Sequence, residues 1–168
     1  MERIALICVG NRLMLDDGIG PAVFDELSAK YTFPCEVSLI DAGCMTMGLL
    51  PVVRDNDFLI VVDAVDGTGQ PAGTVVRFDP DAIDGHAAMA SLHDLRLADL
   101  LAAASLVGYE ACGVCFGMQV ANMNPVFMTE GLTDPVARNL DTLVGAVLAE
   151  LAHHGVPLAY ADGTPLVV

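Results

Sequence analysis

Basic residues are scarce in this chain: seven Lys and Arg stand against 22 Asp and Glu, for a formal net charge of −15. Such a surface repels phosphates over most of its area, which argues against a nucleic-acid partner and leaves a neutral or basic protein as the easier one to accommodate. No apolar run is as long as a membrane span, because charge or glycine interrupts each one, so no membrane insertion is expected. Disorder is disfavoured as well, since 54% of residues are hydrophobic and only 17% are charged. Repeats and low-complexity linkers are absent, and 168 residues fit one domain that buries roughly two-thirds of the surface its unfolded chain exposes. The stretch Ile4 to Val9 is not followed by a small-residue cleavage pattern and reads as a buried strand, not as a signal peptide. A disulfide framework is not expected, because the cysteines at 8, 35, 44, 112 and 115 are odd in number. They fit reduced thiols in a cytoplasmic protein.

Several catalytic signatures are also missing. No G-x-S-x-G motif is present to support serine-type hydrolysis. Cys112-Gly113-Val114-Cys115 has no second pair to complete a zinc site, and it reads as strand cysteines in a core. A nucleophilic thiol would have to recruit Cys44 or Cys8 with His93 as its base. The loop from Gly10 to Gly20 fits neither G-x-G-x-x-G nor the lysine-containing phosphate loop, and Asp16 and Asp17 within it would repel phosphate.

What is present is an alternation of two periods. Ile4 to Val9 is continuously apolar, as in a strand covered on both faces. Pro21 then sits where proline favours a first helical turn, ahead of Val23, Phe24 and Leu27 at helical spacing. Residues 36–40 read as a second strand, 45–53 as a short helix with Pro51 near its end, 58–62 as a third strand and 74–78 as a fourth on an edge. Ser91-Leu92-His93-Asp94 matches a variant capping box before a helix that contains Leu95, Leu97, Leu100 and Leu101. Residues 112–120 read as a fifth strand and 135–153 as a long C-terminal helix. The expected fold is α/β: a three-layer α/β/α sandwich around a mostly parallel, twisted sheet of about five strands. One domain is expected over 1–158, with a short tail over 159–168.

In open parallel sheets, ligands collect at the carboxyl ends of the strands, where loops and helix N-termini converge. Asp16 and Asp17 follow the first strand, Asp41 the second, Asp63 and Asp66 the third, and His93 begins the helix before the fifth. Carboxylates with a neutral imidazole suit a borderline divalent ion, and three protein ligands leave positions open for water or substrate. The alternative for each acid is a helix cap or turn residue, and for His93 a polar position in a first turn. His86 reads as an exposed loop residue. His153 and His154 end the last helix, where a cationic imidazole would favour the dipole. Met118, Met123 and Met128 read as core and loop packing, with a soft peptide-facing surface as the alternative.

Four segments resemble the hydrogenase maturation endopeptidases. Cys8-Val9-Gly10-Asn11-Arg12-Leu13-Met14-Leu15-Asp16-Asp17-Gly18-Ile19-Gly20 is similar to that family's opening signature, and Ile40-Asp41-Ala42-Gly43-Cys44 to its D-G-G-T after the second strand. Ile60 to Val65 and Ser91 to Asp94 are the third and fourth, in the family's order. The resemblance implies an endopeptidase that removes a C-terminal extension from the nickel-loaded large-subunit precursor of a nickel–iron hydrogenase. Nickel would arrive with the substrate, and the isolated protein would be metal-free or hold another divalent ion. Asp17, Asp63 and His93 would be the metal ligands, with Asp41 or Asp16 available to orient water, or Asp41 to shape its own loop. A non-catalytic, nickel-dependent checkpoint module is the alternative that the same ligands would serve. The chain departs from the family pattern at Asp17, often glutamate in relatives, and at Ala42 and Cys44.

Overall fold

Strand β1 (Ile4–Val9) is completely enclosed, every residue of IALICV being buried, because it runs through the middle of a sheet with helices on both sides. The computed structural model describes residues 2–44, 47–79 and 97–166. After β1 a 3-10 turn (Leu15–Gly18) leads into α1 (Ile19–Lys30), β2 (Tyr31–Thr32) and β3 (Val37–Gly43). A second 3-10 turn (Met47–Leu49) precedes α2 (Leu50–Asp55), then β4 (Phe58–Val65) and β5 (Val75–Phe78). The remaining described elements are α3 (Leu97–Leu106), β6 (Cys112–Gln119), α4 (Asp134–Arg138), α5 (Leu140–His153) and β7 (Ala159–Tyr160).

The main sheet has five strands in the order β3-β1-β4-β6-β5. All its pairings are parallel except β5 against β6, so the fold is the expected α/β one with a single antiparallel edge. Successive residues of a strand face opposite sides, and β1 divides its side chains accordingly. Ile4, Leu6 and Cys8 join the core beneath α1 and α5, while Ala5, Ile7 and Val9 join the core that includes Val53 of α2 and Leu100 and Ala104 of α3. From β1 the chain first adds β3 on one flank and then β4 on the other. The switch point between β1 and β4 is where such sheets form their crevice.

Several elements differ from the sequence expectation. β3 and β4 run on through Gly43 and Val65, so Asp41 and Asp63 lie inside strands instead of after them. The extension of β4 is held by β6, with Asp63 registered opposite Gly117 and Val65 opposite Gln119. Pro51 starts α2 and does not end it. The last helix divides at Asn139, whose side chain donates to the Pro135 carbonyl at 2.8 Å. The tail set apart at 159–168 is part of the fold as far as it is described: β7 pairs antiparallel with β2, Tyr160 stacks on Tyr31, and Leu166 packs against the core. The capping box 91–94, with His93, and His86 lie outside the described residues.

Candidate active site at the carboxyl ends of the strands

Asp17 stands in the 3-10 turn between β1 and α1, only 2% exposed. The turn is compressed against its own strand. A Cβ on Gly10 would lie 2.0 Å from the Asp17 carbonyl oxygen, and one on Gly20 would lie 2.0 Å from the Val9 carbonyl oxygen. Glycine is therefore required at both positions for the loop to fold back. The Asn11 amide donates to Asp17 Oδ2 at 3.0 Å. Leu15 has φ of 54°, the one described non-glycine residue with positive φ, a conformation that costs energy and is kept only where surrounding contacts impose it. Those contacts come from far along the chain: the Leu15 amide donates to the Thr129 carbonyl at 2.8 Å, and the Thr129 amide to the Leu13 carbonyl at 2.8 Å.

Asp16, next in sequence to Asp17, does something different. It is 0% exposed and accepts four hydrogen bonds: from the Ala121 and Asn122 amides at 2.9 Å each, from the Thr133 amide at 2.7 Å and from the Thr133 hydroxyl at 2.8 Å. A carboxylate so occupied is a structural fastener between the β1–α1 loop and the segment after β6. Both of its oxygens are engaged, and the residue is closed off from solvent. Nothing in the sequence around Thr133 announces this partnership.

Asp63 is half-buried near the end of β4. Alternation along the strand gives it the same face as Leu59, which belongs to the core with Cys115. Cys44 feels the charge of both Asp63 and Asp17. This exposed thiol is held above its ordinary pKa by partial desolvation first, then by the negative charges of Asp17 and Asp63. Both carboxylates therefore oppose the charge of one thiolate. Burial pushes the thiols of Cys8 and Cys115 up to about 12, which makes both unreactive.

Asp41 is tied down by Arg12 and by its own loop. Arg12 Nη2 donates to Asp41 Oδ2 at 2.8 Å, and the Gly43 amide donates to Asp41 Oδ1 at 3.1 Å. Arg12 also pairs with Asp25 of α1, so one guanidinium joins the glycine loop, α1 and the end of β3. Of the two roles anticipated for Asp41, these bonds are those of loop shaping. Asp66 likewise accepts from the Gly67 amide at 2.7 Å and from Gln119 Nε2 at 2.9 Å. Ala42 needs no glycine-like backbone, since the positive φ of this loop falls at Gly43, at 53°, and its methyl is buried in the core.

Cys112 and Cys115 are three apart on one strand and so face opposite sides of the sheet; Cys112 is exposed and Cys115 buried. The expectation of a buried pair holds for the second only. Among the described residues no group of three His, Cys, Asp or Glu side chains is arranged to hold a metal ion. Asp17 and Asp63 supply two acids, and the third expected ligand, His93, lies outside those residues. No helix among the described residues is long and apolar enough to cross a membrane.

Comparison with known proteins agrees with the motif resemblance. A family model described as hydrogenase maturation protease matches residues 21–150. The hydrogenase 2 maturation protease of Escherichia coli is 30% identical over 156 residues, covering 92% of this chain and 93% of that protein. The hydrogenase expression/formation protein HupM of Azotobacter chroococcum is 35% identical over 164 residues, covering 96% and 77%. The solved hydrogenase maturating endopeptidase HybD of E. coli superposes with a TM-score of 0.84 at 28% identity, covering 95% of this chain and 98% of that one. This chain belongs to the hydrogenase maturation protease family and is an endopeptidase of that family.

Proposed function

We propose that this endopeptidase removes a C-terminal extension from the large-subunit precursor of a nickel–iron hydrogenase, and that Asp17, Asp63 and His93 complete the coordination of the nickel carried by that precursor. The nickel is then part of the substrate, and the isolated protein is metal-free or holds another divalent ion. The observation that carries this reading is the placement of Asp17 in the turn after β1 and of Asp63 near the end of the adjacent strand β4, at the β1–β4 switch point. Two carboxylates there favour a cation, and imidazole as third ligand suits a borderline metal and leaves positions open. Thiol attack is disfavoured by the same charges, which oppose the Cys44 thiolate. Asp41 is assigned to positioning, through Arg12 and Gly43. The reaction takes place in the cytoplasm, in keeping with five unpaired cysteines.

The deciding experiment mixes the purified protein with nickel-loaded and nickel-free precursor of its host's large subunit and records the precursor's intact mass. Loss of the C-terminal segment is expected only with nickel, and neither Asp17→Asn nor His93→Ala should release it. Equal cleavage of the nickel-free precursor would overturn nickel recognition, and full activity of both variants would overturn the ligand assignment.

A further inference from the structure

Among the described residues, three consecutive apolar side chains stand exposed in the segment bonded to the glycine loop. Val126, Phe127 and Met128 are consecutive and 91%, 80% and 78% exposed, in a chain with only six phenylalanines and no tryptophan. Their segment follows β6, so it emerges at the same end of the sheet as Asp17 and Asp63. Its backbone is held on both sides: Met123 is 5% exposed within the core, and Thr129 is bonded to Leu13 and Leu15 of the glycine loop. Asp16 adds the bonds to Ala121, Asn122 and Thr133 that close the base of the segment. Leu13, on the paired loop, is itself 41% exposed. A depression of about 270 Å³ alongside is lined by Arg12, Gly18 and Gly131 among others.

Large apolar side chains held on a fixed backbone in full contact with water mark an interaction surface. We infer that Val126, Phe127 and Met128 form the docking surface for the folded protein substrate, and so determine which precursor is accepted. The inference rests on the proposed function for the identity of the substrate. Its support is continuity: a polypeptide presenting its scissile bond to the loop of Asp17 must lie across the segment that Asp16 fastens to that loop. Charge defines the complementary surface. Exposed Glu130 and Asp134 follow the apolar tip along the chain on a molecule of net charge −15, so the matching face of the substrate is apolar with basic residues beside it. The second exposed apolar pair, Leu106 and Val107, at 89% and 59%, ends α3 just before β6 starts and so lies at the amino end of the sheet, away from the site.

The test compares wild type, Phe127→Ser, the double variant Val126→Ser/Met128→Ser and the control Leu106→Ser/Val107→Ser, all on nickel-loaded precursor, after circular dichroism has shown each to be folded. KM for the precursor is expected to rise about tenfold in the first two variants with kcat nearly unchanged, the pattern of lost docking contacts, while the control matches wild type. An unchanged KM in both variants overturns the inference, as does a fall in kcat alone or an equal rise in the control. A wild-type protein that neither binds nor cuts the precursor overturns the proposed function and this inference together, whereas cleavage with an unaltered KM in the variants overturns the inference alone.

Discussion

The Asp16 carboxylate accepts from three backbone amides and one hydroxyl without any exposure to water. Replacing it with alanine removes the acceptor of four part-buried hydrogen bonds made to a charged group, which costs about 3 kcal/mol. Urea unfolding of Asp16→Ala is expected to show a midpoint lowered accordingly with little change in slope; a midpoint equal to that of wild type would mean the loop segment holds without its fastener. The neighbouring Asp17 is expected to show its position through Cys44. Because its charge opposes the thiolate, Asp17→Asn lowers the Cys44 pKa and raises the thiolate fraction at pH 7.5. Alkylation at Cys44, followed by peptide mass mapping, should therefore be severalfold faster in the variant, while Cys8 and Cys115, with pKa values pushed up to about 12 by burial, stay unlabelled until the protein unfolds. No acceleration at Cys44 would place Asp17 too far away to act on it.

Among the elements, β5 is the antiparallel edge of the sheet and has its own restraint. Arg77 of β5 reaches across to Glu150 of α5, with Nη2 to Oε1 at 2.9 Å and Nε to Oε2 at 3.1 Å. Glu150 is 9% exposed, and its pKa is lowered from 4.5, chiefly by the Arg77 hydrogen bonds. A carboxyl with a depressed folded-state pKa stabilises the fold above its unfolded value and loses that contribution as pH falls through the folded value. Arg77 remains about half exposed, so solvent screening limits the pair to about 1 kcal/mol at neutral pH. Arg77→Ala should be less stable than wild type by about that much at pH 7, and the difference should shrink below pH 4.5. Thermal unfolding across pH measures it, and a gap that widens in acid would refute the coupling. The C-terminal helices are a case in which periodicity misled. The apolar pattern runs on through 135–153, but Asn139, with φ of −106° and ψ of 7°, breaks the helix in two. The boundary depends on a side chain bonding back to Pro135, which hydrophobic spacing does not register.

For the molecule as a whole, 22 acids against seven bases mean self-repulsion that salt screens. Thermal stability should rise with sodium chloride from 20 to about 300 mM, where the Debye length falls well below the width of the protein; a fall would indicate that its surface ion pairs outweigh the repulsion. The alternation of strand and helix, the division of β1 between two cores and the placement of acids at strand ends could all be read from the chain, because each follows from local periodicity or from a general rule for parallel sheets. The extent of β4 could not, since Asp63 is in a strand only because Gly117 of β6 lies opposite it. Nor could the tail, whose last strand is defined by β2, well over a hundred residues earlier.

The two aspartates after β1 divide these kinds of information most clearly. Composition, motif order and periodicity were enough for the fold class and the family, since both are written in residue types at short spacings. They were also enough to bring Asp16, Asp17, Asp41 and Asp63 to one end of the sheet. Which of the first two is a fastener was decided by the segment 121–133 folding over the glycine loop. That same contact leaves Val126, Phe127 and Met128 facing water. Contacts between residues more than a hundred positions apart arise from packing of the whole chain, and no local pattern records them.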